Sequence, residues 1–197
     1  MEKNLTKYRN SKKFESEMTM ILEGLNSSRG EDFENYQQKL GEILGYLSVN
    51  PNNSTAPDPY WIVNDDLCVV FEDKIYDDAS KKIPVSDISQ ANRHETWIRE
   101  NVKNLHHDAD IITCFLTNSR SIEEDAKIHA NNLYYCNKTE FVDWANKAIN
   151  CLRNSYAAFT TEGDSEWRLL AEKYFDEGFS NPINFVQMIK TTLLKSI

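Results

Sequence analysis

A chain of 197 residues, 40% hydrophobic and 27% charged, is long enough to bury its own core and fits one domain rather than two. Its net charge of -9 argues against strong unaided binding to duplex nucleic acid, where cationic contacts to phosphate supply most of the non-specific affinity. The polar start MEKNLTKYRN, with no later apolar run approaching the ~18 residues of a membrane span, leads us to expect a soluble, cytoplasmic protein without membrane contact.

From Ser11 to Asn26 the residues Phe14, Met18, Ile21, Leu22 and Leu25 recur at helical spacing, with Ser11 as a candidate cap. After the break SSRGED, the segment from Glu31 to Val49 repeats the period through Phe33, Tyr36, Leu40, Ile43, Leu44 and Leu47, which predicts a second helix. Glu42 lies in it between Gly41 and Gly45. Glycine costs helix stability, so either something approaches closely here or the glutamate decorates a loosely specified surface. NPNNSTAP at 50–57 reads as a loop.

The runs PYWIV (59–63) and LCVVFE (67–72) are aromatic and β-branched, and NDD between them is turn chemistry, so the pair reads as a β-hairpin. Next comes a helix from Ser86 to Val102, capped by Ser86 or Asp87 and striped by Ile88, Ala91, Ile98 and Val102, with Gln90 and His94 one turn apart on a neighbouring face. ADIITCFLT (109–117) reads as a buried strand, SIEEDAKIHA (121–130) as a short helix, NLYYC (132–136) as a strand and 139–156 as a long helix. Two closing helices follow at 165–178, with Asp164 before it and Gly178 as its stop, and at 181–196, with Ser180 as cap and Pro182 in its first turn. A hairpin followed by helix-connected strands implies an α/β fold with a mixed central sheet flanked by helices on both faces. Cys68, Cys114, Cys136 and Cys151 lack CxxC spacing, which points to buried thiols rather than disulfides or zinc ligands.

Three charges sit oddly on the hairpin. With a loop at Asn64–Asp66, Val63 pairs with Leu67, Trp61 with Val69, and Asp58 falls opposite Glu72, with Cβ atoms ~5 Å apart. Lys74, two residues beyond Glu72, points to the same face. Opposed like charges cost stability, but two carboxylates suit a hard cation such as Mg²⁺, which takes oxygen ligands together with waters and substrate phosphate oxygens. A neighbouring ammonium can orient a phosphate or position the attacking water. The bland alternative is a solvated strand end with Lys74 paired to any nearby acid.

A helix carrying an acid, then Pro57-Asp58, then a strand ending in Glu72-Asp73-Lys74, then a helix carrying a glutamine resembles the PD-(D/E)XK nuclease superfamily, over about residues 31–150. The resemblance implies a restriction-endonuclease-like fold, Asp58 and Glu72 as metal-holding acids, and Lys74 as the catalytic lysine. It makes Glu42 similar to the auxiliary acid on the preceding helix, also toward metal, and Gln90 similar to the glutamine on the following one. It implies Mg²⁺ as cofactor, with Mn²⁺ as substitute, and a nuclease acting on nucleic acid, with DNA the expected substrate. The competing expectation is a non-catalytic nucleic-acid-binding or assembly module of the same fold, acting through a protein partner.

Residues 1–30 and 151–197 lie outside that shared core as helical extensions of a single domain. The acidic charge and the apolar Trp167, Leu169, Leu170, Phe175, Phe185, Met188, Ile189 and Leu193 lead us to expect a homo-oligomer or a subunit of a larger complex; the alternative is that these residues complete the core. His106 and His107 beside Asp108 and Asp110 are expected in a solvated loop, since adjacent residues seldom point the same way. His94 either reaches the catalytic edge or packs in the interior. Lys81, Lys82 and Arg93 either contact substrate phosphates or form a solvated face.

Overall fold

A computed structural model describes residues 1–8, 10–51 and 56–197, so part of the expected 50–57 loop falls outside the described residues. After a short helix α1 (Glu2–Leu5), α2 (Ser11–Leu25) is capped one residue earlier than expected: the Asn10 side chain accepts from the Lys13 N–H at 3.0 Å and holds the first turn, of which Ser11 is already part.

Helix α3 (Gly30–Leu44) ends where the expected helix would have run on. Gly45 takes a left-handed φ of 97°, inexpensive only for glycine, and the Tyr46 N–H turns back to the Gly41 carbonyl at 3.0 Å. Leu47–Val49 is therefore not helix but an edge strand, β1, paired antiparallel with β2 (Tyr60–Asn64). Gly41 has its own reason: a Cβ there would lie 2.5 Å from Trp61 Nε1, so the missing side chain lets α3 close onto the sheet.

β2 and β3 (Leu67–Lys74) form the hairpin, with Trp61 opposite Val69 as expected. The turn differs. The register shifts between Ile62 and Asn64, so Asn64 rather than Val63 faces Leu67, and the Asn64 side chain closes the bend by accepting from the Asp66 N–H at 2.9 Å. The shift stays at the tip; at the other end the Phe71 N–H donates to the Pro59 carbonyl at 3.1 Å, which keeps Asp58 level with Glu72.

The expected 86–102 helix is two helices, α4 (Val85–Ala91) and α5 (His94–Asn101), interrupted at Asn92–Arg93, with Pro84 rather than Ser86 or Asp87 at the first cap. Parallel strands β4 (Asp110–Thr117) and β5 (Tyr134–Asn137) follow, joined by α6 (Glu124–Lys127), and the order β1-β2-β3-β4-β5 makes one mixed sheet. α7 (Lys138–Ala157), α8 (Ser165–Glu177) and α9 (Pro182–Ile189) close the chain; Asn181, not Ser180, caps α9, which stops at Ile189.

Strand alternation divides the burial between two faces. Trp61, Val69 and Phe71 join residues of α2, α3, α7, α8 and α9 in the larger core, where Trp61 lies 5.0 Å from Phe71 and 5.3 Å from Phe185 between ring centroids. Tyr60, Cys68 and Val70 face Ile98 of α5, while Phe115 faces α4 and α6. The chain is thus α/β with helices on both sides of a mixed sheet. Trp167, Phe185 and Ile189 are buried in the larger core, so the C-terminal helices help to complete it, whereas Leu169 remains exposed. All four cysteines are buried free thiols.

Candidate active site

The acids gather at the end of β3. Because side chains alternate, Glu72 and Lys74 face α4 and α5, whereas Asp73 between them faces α3. Glu72 is fully buried. Its Oε1 forms an ion pair with the Lys74 ammonium but has no directed hydrogen bond, and its Oε2 meets His94 Nε2. Asp58, half-buried just before β2, accepts the Asp73 N–H at 2.6 Å through Oδ2. This bond ties the carboxylate to the backbone of the neighbouring strand.

Burial first, then the charge of Glu72, pushes the Asp58 carboxyl above the ordinary range; Lys74, the Asp73 N–H and His94 pull it partly back. Lys74 responds in the opposite sense: burial alone would lower its ammonium, but Glu72 and Asp58 outweigh that and raise it, so it stays a cation. Asp73 is pushed up well above the usual range by burial and then by Asp58, Glu34 and Glu72. Its carboxyl has only a long 3.5 Å hydrogen bond from Gln37 and leaves Oδ2 unpartnered.

Of the sequence candidates, Asp58, Glu72 and Lys74 come together. Glu42 does not: it is exposed on the last turns of α3, where its carboxylate accepts from Gln38 at 2.9 Å and its carbonyl from Asn4. The acid that α3 does turn toward the cluster is Glu34, whose carboxyl is pushed up to about 7 by burial and then by the charge of Asp58. It lies eight residues before Glu42, ~12 Å along the helix. Gln90 is half-buried in α4, but the side chain from this region that reaches Glu72 is His94, at the first position of α5. The signal for Glu34 was its place one turn before Gln37 on the face that meets β3.

Lys81 is exposed over the ring of Tyr76 at 4.4 Å, and the Tyr76 hydroxyl donates to Asp87 at 2.7 Å. Lys82 and Arg93 are exposed. His106 lies in a solvated loop, its Nδ1 2.6 Å from Asp66 Oδ1. A cleft of about 790 Å³ lies elsewhere, between α8 and the N-terminus, where Arg168 is already paired with Glu2 at 2.8 Å. Among the described residues no three His, Cys, Asp or Glu side chains converge into a metal cage. Two carboxylates remain, which is a common protein share of a Mg²⁺ coordination shell. Buried hard oxygens that repel each other, one of them without a directed hydrogen bond, fit such a cation.

No protein-family model and no curated protein matches this sequence. Among solved structures the chain is similar to the restriction endonuclease FokI, with a TM-score of 0.47 and 12% sequence identity over 66% of this chain. The match spans only 27% of that protein's length.

Proposed function

We propose that this chain is a Mg²⁺-dependent nuclease that hydrolyses phosphodiester bonds in nucleic acid, with DNA as substrate. The observation that carries the reading is the β2–β3 register, which sets Asp58 beside Glu72 with Lys74 on the same face as Glu72. In this reading Asp58 and Glu72 hold the ion through carboxylate oxygens, and Glu34 adds negative charge from α3. When bound, Mg²⁺ would lower the pKa of the attacking water and stabilise charge gathering on phosphorus. Lys74 leaves Glu72 Oε1, orients the water and donates to the developing negative charge. The two carboxylates are held at the end of the central strand β3, Asp58 by the Asp73 N–H and Glu72 by its burial, so the lysine is the group that has to move.

A net charge of -9 disfavours approach to a polyanion, so substrate capture in this account falls to a second copy or a basic partner subunit. The same charge, with Glu72 already engaged on both oxygens, is what favours the second reading, a non-catalytic binding or assembly module of the same fold. Incubation with linear and circular duplex DNA, single-stranded DNA and RNA, each with Mg²⁺, Mn²⁺ or chelator, separates the two. Cleavage that needs the metal supports the nuclease; intact substrates under every condition, with binding indifferent to metal, support the module.

A further inference from the structure

We infer that His94 is a positioning residue that holds Oε2 of Glu72 and so reserves Oε1 as the oxygen offered to the metal. The inference deepens the proposed function and rests on its assignment of Glu72 to the cation. Glu72 is fully buried, and two groups compete for it. They are not equivalent. His94 is 2% exposed and stands at the start of α5, whose Ile98 is itself fully buried against the sheet, so the imidazole has little freedom to leave. With Glu72 ionised, as the metal assignment requires, its carboxylate only accepts, so in this inference Nε2 is the nitrogen that donates. Lys74 sits at the end of its strand with 23% of its side chain exposed and four rotatable bonds, so its ammonium can swing away from Oε1. When a cation arrives, the lysine yields and the histidine stays.

The imidazole thereby fixes which oxygen of Glu72 binds and the direction in which it points. Without the donor, Oε2 would be a buried, unsatisfied acceptor, and the carboxylate would turn rather than present Oε1 to a cation. Groups that hydrogen-bond a metal-holding carboxylate typically contribute ~10- to 100-fold to metal affinity.

The test is calorimetric titration of the apo protein with Mn²⁺, which requires no turnover. Wild type, Glu72→Gln, His94→Phe and His94→Gln are compared, each first checked for a cooperative melt, with His94→Leu replacing His94→Phe if the latter does not fold. The expected result is that Glu72→Gln abolishes binding, His94→Phe weakens it ~10- to 100-fold, and His94→Gln, which keeps a donor, recovers to within a few-fold of wild type. Binding unchanged in Glu72→Gln would overturn the metal assignment, and the inference with it. Binding lost in Glu72→Gln but unchanged in His94→Phe would overturn the inference alone. Equal weakening in His94→Phe and His94→Gln would also overturn it, since packing rather than the donated hydrogen bond would then be responsible.

Discussion

Glu34→Gln should stabilise the metal-free protein at alkaline pH and do almost nothing at acid pH. Glu34 is pushed from its ordinary 4.5 up to about 7 by burial and by Asp58. Below about 4.5 the carboxyl is protonated in folded and unfolded chains alike and contributes no difference. Between 4.5 and 7 the unfolded chain ionises first, so stability falls as pH rises, and above 7 the full cost of a buried anion beside Asp58 is present. At ~1.4 kcal/mol per unit, the shift corresponds to ~3 kcal/mol for a fully dry group; partial exposure of Glu34 roughly halves that, to ~1.5 kcal/mol. The amide removes the charge with little change of shape. Thermal melts at pH 8.5 should therefore show Glu34→Gln higher than wild type by ~3–6 °C, shrinking to within about a degree at pH 4.5. An equal shift at both pH values would refute the reasoning, because a packing effect does not titrate. A lower melting temperature at pH 8.5 would refute it more directly.

Other substitutions probe separate parts of the account. Lys74→Met keeps the aliphatic stem and removes the charge, so Mn²⁺ binding by calorimetry should survive while single-turnover cleavage falls ~10²- to 10³-fold. Glu42→Gln should leave cleavage and metal affinity within about two-fold of wild type, since its carboxylate meets only Gln38; a larger loss would restore Glu42 to the site. Trp61→Ala empties the aromatic centre of the larger core and should cost ~3–5 kcal/mol in urea denaturation.

The parts of this fold that were legible in the sequence are those that depend on strand alternation and turn chemistry. The aromatic and β-branched runs on either side of Asn64 place Trp61 opposite Val69, and the same count brings Asp58 level with Glu72. The irregularity at Val63 was not legible, because the sequence permits either Asn64–Asp66 or Asp65–Asp66 as the turn and backbone geometry makes the choice. β1 is hidden in the sequence because Leu47 continues the helical period of α3; the contrary signal, Gly45 after the last well-packed turn, is masked by Gly41 four residues earlier, a glycine inside the helix. The two glycines have different physical causes, a left-handed stop and a contact with Trp61. Glu34 escaped, and His94 stayed an open choice between the catalytic edge and the interior, for a related reason: which turn of a helix meets a strand end is set by tertiary packing. The break at Asn92–Arg93 also resets the helical phase between Gln90 and His94.

The most direct test of the central claim compares cleavage of duplex DNA by wild type, Asp58→Asn and Glu72→Gln, at equal folded fractions, in Mg²⁺ and in chelator. The account predicts cleavage by the wild type only with metal, none by either variant, and an apo melting temperature for Asp58→Asn no lower than wild type, since that change removes a charge held against burial and Glu72. Cleavage by the wild type in chelator, or undiminished cleavage by either variant in Mg²⁺, would contradict it.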